Sequence, residues 1–303
     1  MTTPHPRPPA EDRTAPIVVG VDGSDHGEAA VRWAARNAAA TACPLHLVHA
    51  LDLAAGTAFG PFDLYVPPVT ATLRTRGAAV LDSARRIAAE VDPRVPVEIE
   101  LTEEVPAAAL IARSAHARMT VLGAEGHGGT LRHLGSTLLA VTAHGHGVVT
   151  VVRSIDPLDP PVGPVVVGVD GSAFGQAAVE VAFTEASRRG AALVAVHCWT
   201  DLRFERLAGL LDVVDEDPEV EAAAAAALAE QLDGWPEKFP DVPVRTQVYR
   251  HGPAHHLVEW SRTAQLVVAG SRGRGGFHGL LLGSTSNALV QHAFCPVMIV
   301  HPR

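Results

Sequence analysis

With 303 residues, 47% of them hydrophobic and 19% charged, the chain has the length and apolar content for two domains with sizeable cores, and its composition excludes a disordered polymer. A net charge of −9 argues against a basic surface for nucleic acid or anionic lipid, and no apolar run approaches the ~18 residues a membrane helix needs. Three cysteines (Cys43, Cys198, Cys295) without Cys-x-x-Cys spacing fit buried thiols in a reducing cytoplasm better than a disulfide framework or a zinc site.

Residues 1–14, rich in proline and charge and without an apolar h-region, read as a disordered tail rather than a signal peptide. Apolar runs then alternate with amphipathic or alanine-rich stretches. Strands are expected at Ile17–Val21, Leu45–Ala50, Val97–Leu101, Thr120–Leu122 and Val148–Val152. Helices are expected between them at His26–Ala40, Ala71–Val91, Ala107–Ala117 and Ser136–His144. Residues 153–163, with prolines at 157, 160 and 161, read as a linker. Beyond it come strands Val165–Val169, Leu193–His197, Val244–Tyr249, Leu266–Ala269 and Val297–Val300. The intervening helices are expected at Gly175–Arg189, Pro218–Leu232, His255–Thr263 and Ser284–His292.

The second series repeats the first. Ile17-Val-Val-Gly-Val-Asp-Gly-Ser24 returns as Val165-Val-Val-Gly-Val-Asp-Gly-Ser172, so Gly20 and Gly168 are 148 residues apart. His49 and His197, and Ser136 and Ser284, keep that offset. A domain-sized period means tandem duplication, not a solenoid, with domains at 15–152 and 164–303. Strands alternating with helices predict a doubly wound, Rossmann-like, five-stranded parallel sheet in each half. Such sheets bind ligands beyond their strand C-termini, where the winding reverses. The turns Asp22-Gly23-Ser24 and Asp170-Gly171-Ser172 lie at that end, and also suit helix entry with Ser24 and Ser172 as caps.

The stretch Gln265–His292 carries the most chemistry. A buried-type strand leads into Gly270–Gly283, a loop with six glycines, and then into a helix opening Gly-Ser-Thr-Ser, whose hydroxyls suit capping. Free amides and the positive end of the helix dipole favour an anion there, and Arg272 and Arg274 add positive charge.

These residues resemble the universal stress protein family in its tandem form. Gly270-x-x-Gly273, nine residues, then Gly283-Ser284 matches that family's ATP signature; the Val-Gly-Val-Asp-Gly-Ser openings and the histidines closing each second strand are also similar to it. The resemblance covers the chain from about residue 15 to the end, and implies fold and nucleotide binding together. It places Gly168 and Asp170 near the nucleoside and His197–Cys198 at the adenine edge. It places Gly270, Arg272, Gly273, Arg274, Gly275, Gly276, Gly283, Ser284 and Thr285 around ribose and phosphates. Asp170 and Asp22 are candidates to hold Mg²⁺ through a phosphate. The first-half counterparts are Gly20, Asp22, His49, Ala50, Gly123, Gly126, Gly128, Gly135, Ser136 and Thr137. It also implies dimerisation through the fifth-strand edges, which in a tandem chain lets the two halves pair with each other.

The first half departs from the pattern. Only eight residues separate Gly126 from Gly135, and Glu125 replaces Arg272. A carboxylate ~6 Å from a phosphate oxygen repels it by about 2–3 kcal/mol at an effective dielectric near 20. ATP is therefore expected in the second half, and weakly or not at all in the first.

The loop lacks the lysine of a Walker-type NTPase; Lys238, the only lysine, is remote. No catalytic residue is expected, and at most slow hydrolysis. The alternatives are a scaffold with empty nucleotide sites and a slow nucleotide hydrolase. Among 16 histidines, His144 and His146 form one candidate pair; His255 and His256, adjacent on a helix, diverge and leave His251 with His255 as another, and neither pair has a third ligand, so no metal site is expected.

Overall fold

A computed structural model describes residues 14–52, 66–124, 135–153, 162–199, 218–274 and 282–302. The first half contains β1 (Ile17–Gly20), α1 (Asp25–Thr41), β2 (Leu45–Ala50), α2 (Val66–Val91), β3 (Val97–Thr102), α3 (Pro106–Ser114), β4 (Met119–Gly123), α4 (Ser136–His144) and β5 (Val148–Val152). The second contains β6 (Val165–Gly168), α5 (Ala173–Arg189), β7 (Leu193–Cys198), α6 (Pro218–Gln231), α7 (Trp235–Lys238), β8 (Val244–Tyr249), α8 (Pro253–Trp260), β9 (Leu266–Gly270), α9 (Ser284–His292) and β10 (Val297–Val300).

The inner strands are short and mostly apolar because both their faces are covered, whereas the outermost, β3 and β8, are half-buried or exposed along their length. They form one ten-stranded sheet in the order β3-β2-β1-β4-β5-β10-β9-β6-β7-β8. Each half is parallel throughout. The halves meet at an antiparallel seam with Val148, Val149, Thr150 and Val151 opposite Val300, Ile299, Met298 and Val297. The fifth strands therefore pair with each other within the chain, and neither is an edge.

Alternation along the strands divides the core into two layers. Ile17, Val19, Val165 and Val167 face α1, α2, α5 and α6, through residues such as Val31, Leu81, Phe183 and Leu228. Val18, Val149, Val267 and Ile299 face α3, α4, α8 and α9, through Leu110, Leu138, Leu257 and Leu289. Each layer crosses the seam, so the two cores are continuous.

Several elements differ from expectation; α2, for one, begins at Val66 and not at Ala71. The helix expected to reach Ala117 ends at Ser114, whose hydroxyl donates to the Ile111 carbonyl (2.6 Å) and accepts from the His146 amide (2.9 Å). That expected from His255 begins at Pro253, since proline at N1 loses no helical hydrogen bond. The short α7 was not expected; Trp235 stacks on Phe183 at 5.5 Å, with Lys238 4.6 Å over its ring.

The winding reverses between β1 and β4, and between β6 and β9. Each crevice so defined is entered by a first-helix start and a fourth-helix start. The expectations for residues 1–13 of the tail, for 154–161 of the linker, and for Glu125, Gly126, Gly128, Gly275 and Gly276 lie outside the described residues.

Candidate functional site

In the second half, Val169 continues β6 by donating to the Val196 carbonyl (2.8 Å), and the chain then turns at Gly171 with φ of 76°. Asp170 closes that turn: its Oδ1 accepts from the Ser172 amide (3.0 Å) and hydroxyl (2.7 Å). Ser172 Oγ accepts in turn from the Gly175 amide (3.0 Å), capping α5. The other carboxylate oxygen reaches the glycine loop and accepts from the Arg274 amide (3.0 Å). A Cβ on Gly273 would stand 2.5 Å from that oxygen, so glycine is needed for the approach. Asp170 thus ties the first turn to the loop, with donors on both oxygens.

Asp22 makes the equivalent turn, accepting from the Ser24 amide (3.0 Å) and hydroxyl (2.6 Å), while Ser24 caps α1 through the Gly27 amide (3.0 Å).

Four glycines serve packing. A Cβ on Gly270 would fall 2.8 Å from the Phe174 carbonyl, and one on Gly123 2.6 Å from that of His26. Both let the first helix of their half start against the end of the fourth strand. Gly20 and Gly168 face inward, against Leu122 and Leu110 and against Leu257 respectively.

The fourth helices begin differently from the first. Gly283 is the N-cap of α9, with φ of −63° and ψ of 150°, and no side chain caps it; Gly135 does the same for α4. The expected hydroxyl caps are therefore not made. Ser284 is exposed, Thr285 half-buried, and Ser286 is turned inward to donate to the Gly270 carbonyl (2.6 Å). Ser136 and Thr137 sit likewise in the first turn of α4. In each crevice one helix start is capped by serine, and the other presents first-turn amides without a side-chain acceptor.

Arg272 and Arg274 are exposed at the loop. The Arg272 guanidinium lies 5.9 Å over the Phe174 ring. Arg274 lies across the Asp170 turn, since a Cβ on Gly171 would meet its guanidinium at 2.3 Å and Gln231 Oε1 at 3.1 Å. Positive charge thus flanks the crevice between loop and turn.

His197 is 3% exposed, with Nδ1 2.7 Å from the Val169 carbonyl; His49 holds the Val21 carbonyl at the same distance. A carbonyl only accepts, so the proton sits on Nδ1 and each ring braces the chain after the first strand. Cys198, half-buried, is 3.9 Å from the His251 carbonyl, and Ala50 closes β2 in the equivalent place. Tyr249 stacks on His256 at 3.7 Å, and burial, with His255 and His251 nearby, pulls that imidazole below its ordinary range. Among the described residues no three His, Cys, Asp or Glu side chains are grouped for a metal ion.

Sequence reasoning missed Ser286 and Ser271 at the neck of the loop. The signal was present in the repeat, where Leu138 and Ala124 stand in their places.

Two doubly wound domains in tandem, each with a glycine-led helix start over its sheet switch point, define the class. The chain belongs to the universal stress protein family, whose model matches residues 14–153 and 162–301. A universal stress protein of Mycobacterium tuberculosis is 40% identical over 289 residues, covering 93% of this chain and 96% of that one. One from Mycolicibacterium smegmatis is 40% identical over 296 residues, covering 95% and 97%. Among solved structures, a universal stress protein from Archaeoglobus fulgidus superposes with a TM-score of 0.66 over 96% of this chain and 98% of its own, at 17% identity, a likeness of fold.

Proposed function

We propose that the chain is an ATP-binding regulatory protein whose second half holds the nucleotide, with the triphosphate on the first-turn amides of α9 and Arg272 and Arg274 beside it. The observation that carries this reading is the start of α9: a nine-residue helix with a glycine N-cap and no side-chain cap, facing an arginine-bearing glycine loop. These donors fit an anion of several oxygens, and Mg²⁺ would be held through those oxygens. The resemblance of Gly270–Ser284 to the family's ATP signature supports ATP as the nucleotide. In the first half Glu125 opposes phosphate where Arg272 attracts it, so that site is weaker.

Both carboxylate oxygens of Asp170 already accept hydrogen bonds, and the Nδ1–H of His197 and of His49 is already donated to a backbone carbonyl. None is poised as a base on an attacking water, so ATP is retained rather than turned over. The test is to denature the protein as purified, identify any released nucleotide, and titrate the emptied full chain with ATP. One ATP per chain with negligible ADP formation supports the proposal. Absence of binding favours a scaffold, and steady ADP production favours a hydrolase.

A further inference from the structure

We infer that Ser286 is a positioning residue that shuts the neck of the second-half loop and thereby makes that half the tighter nucleotide site. This rests on the functional reading above and deepens it. The loop leaves β9 at Ser271, whose amide donates to the Val300 carbonyl (2.8 Å), and re-enters α9 at Gly283, whose amide donates to the Ser271 carbonyl (2.8 Å). One turn further on, the Ser286 hydroxyl donates to the Gly270 carbonyl (2.6 Å). Ser271 and Ser286 are 1% and 3% exposed, so both closures are shielded from water. The end of the strand and the start of the helix are thus fastened at two adjacent points, and the Gly283 amide is fixed in place.

The first half keeps the strand anchor, since the Ala124 amide donates to the Val152 carbonyl (2.9 Å). It lacks the rest. Leu138, 5% exposed and without a hydroxyl, stands in place of Ser286. Among the described residues no hydrogen bond joins Gly135 to Ala124. A ligand there must order the neck as it binds, which costs affinity that the closed neck of the second half retains. The two halves therefore differ in preorganisation as well as in the charge at Glu125 and Arg272.

Amide hydrogen exchange of the nucleotide-free full chain, with ATP titration of the same samples, tests this. In the wild type the Gly283 amide is expected to exchange slowly and the Gly135 amide fast. Ser286→Ala is expected to speed exchange at Gly283 and weaken ATP binding about three- to tenfold, the range of one net hydrogen bond. Ser286→Thr, which keeps the hydroxyl, is expected to restore both. Faster exchange at Gly283 with unchanged ATP affinity would overturn this inference and leave the functional reading standing. Unchanged exchange and unchanged affinity would overturn it likewise. A wild-type chain that exchanges as expected yet binds no ATP would overturn the functional reading, and this inference with it.

Discussion

Arg153 and His301 stand 148 residues apart, each directly beyond the fifth strand of its half, and each reaches across the seam to a helix carbonyl of the other half. Arg153 Nη2 donates to the Val290 carbonyl (2.5 Å) and His301 Nε2 lies 3.1 Å from that of Thr142, an equivalent pair of positions. The amides that would satisfy those carbonyls within their helices are diverted, His146 to Ser114 Oγ and Phe294 to Ser261 Oγ, both at 2.9 Å. The orphaned carbonyls are therefore satisfied from the other half. The helix proposed to carry phosphate is held at its far end by a guanidinium from the first half, a favourable place for a cation.

The two braces differ in titration. A guanidinium keeps its charge across the pH range of folded proteins, whereas burial lowers the His301 pKa from its ordinary value of 6.5, and His146, Arg272 and His144 lower it further against the opposing pull of the Thr142 carbonyl. The folded state thus prefers neutral His301, and below pH 6.5 the unfolded chain binds the extra proton. This contribution to stability is complete above that pH and is lost as pH falls through the lowered folded value. Urea melts between about pH 7.5 and 5 are expected to show a shallower decline for His301→Gln, which keeps a donor for Thr142. The same decline in both proteins would refute the linkage, and His256, shifted in the same direction, sets the residual slope.

The seam predicts how the halves behave when the chain is cut. Val149, Val151, Val297 and Ile299 are each 2% exposed or less, and the two cores run continuously across the junction. A protease site introduced within residues 154–161 is expected to leave the halves co-eluting after cleavage. Arg153→Ala, which orphans the Val290 carbonyl, is expected to cost about 1–3 kcal/mol in the intact chain. Separation of the halves at micromolar concentration would contradict the packing.

The repeat supplies a control on backbone strain. α1 ends at Ala42 with φ of 53°, and α5 ends at the equivalent Gly190 with φ of 59°. Only glycine adopts this left-handed conformation without a Cβ penalty. Ala42→Gly is expected to stabilise the chain by up to about 1 kcal/mol, and Gly190→Ala to destabilise it by about 1 kcal/mol. Thermal melts check both, and shifts of the same sign would contradict the argument.

Two loop glycines are expected to separate folding from binding. A Cβ on Gly270 meets Phe174 backbone at 2.8 Å and has no room, whereas one on Gly283 meets nothing closer than 3.4 Å at an unstrained φ of −63°. Gly270→Ala is expected to lose several kcal/mol of stability through backbone overlap. Gly283→Ala is expected to melt near the wild type but to bind ATP at least tenfold more weakly, as its methyl intrudes on the approach to the helix start. Melting and titration of both variants distinguish the two roles.

The duplication, the strands and the fourth helices were legible in the sequence because valine runs and the 148-residue offset are local or periodic signals. Ser24 and Ser172 were legible as caps for the same reason. The antiparallel seam, the crossed braces at Arg153 and His301, and the Ser286–Gly270 bond were not, since each joins groups whose proximity only the finished sheet creates. The hydroxyls at Ser284–Ser286 misled for a related reason: a capping pattern specifies residue types, and burial turned Ser286 towards the strand instead. Gly270 read as a phosphate glycine, and its packing role appears only once α5 lies against β9.

The most direct measurement is a crystal structure of the full chain grown with excess Mg²⁺ and ATP. A triphosphate is expected against the amides of residues 284–286 in the second half, flanked by Arg272 and Arg274, with the first-half crevice empty or less occupied. A vacant second-half crevice, or nucleotide bound in the first half alone, would contradict it.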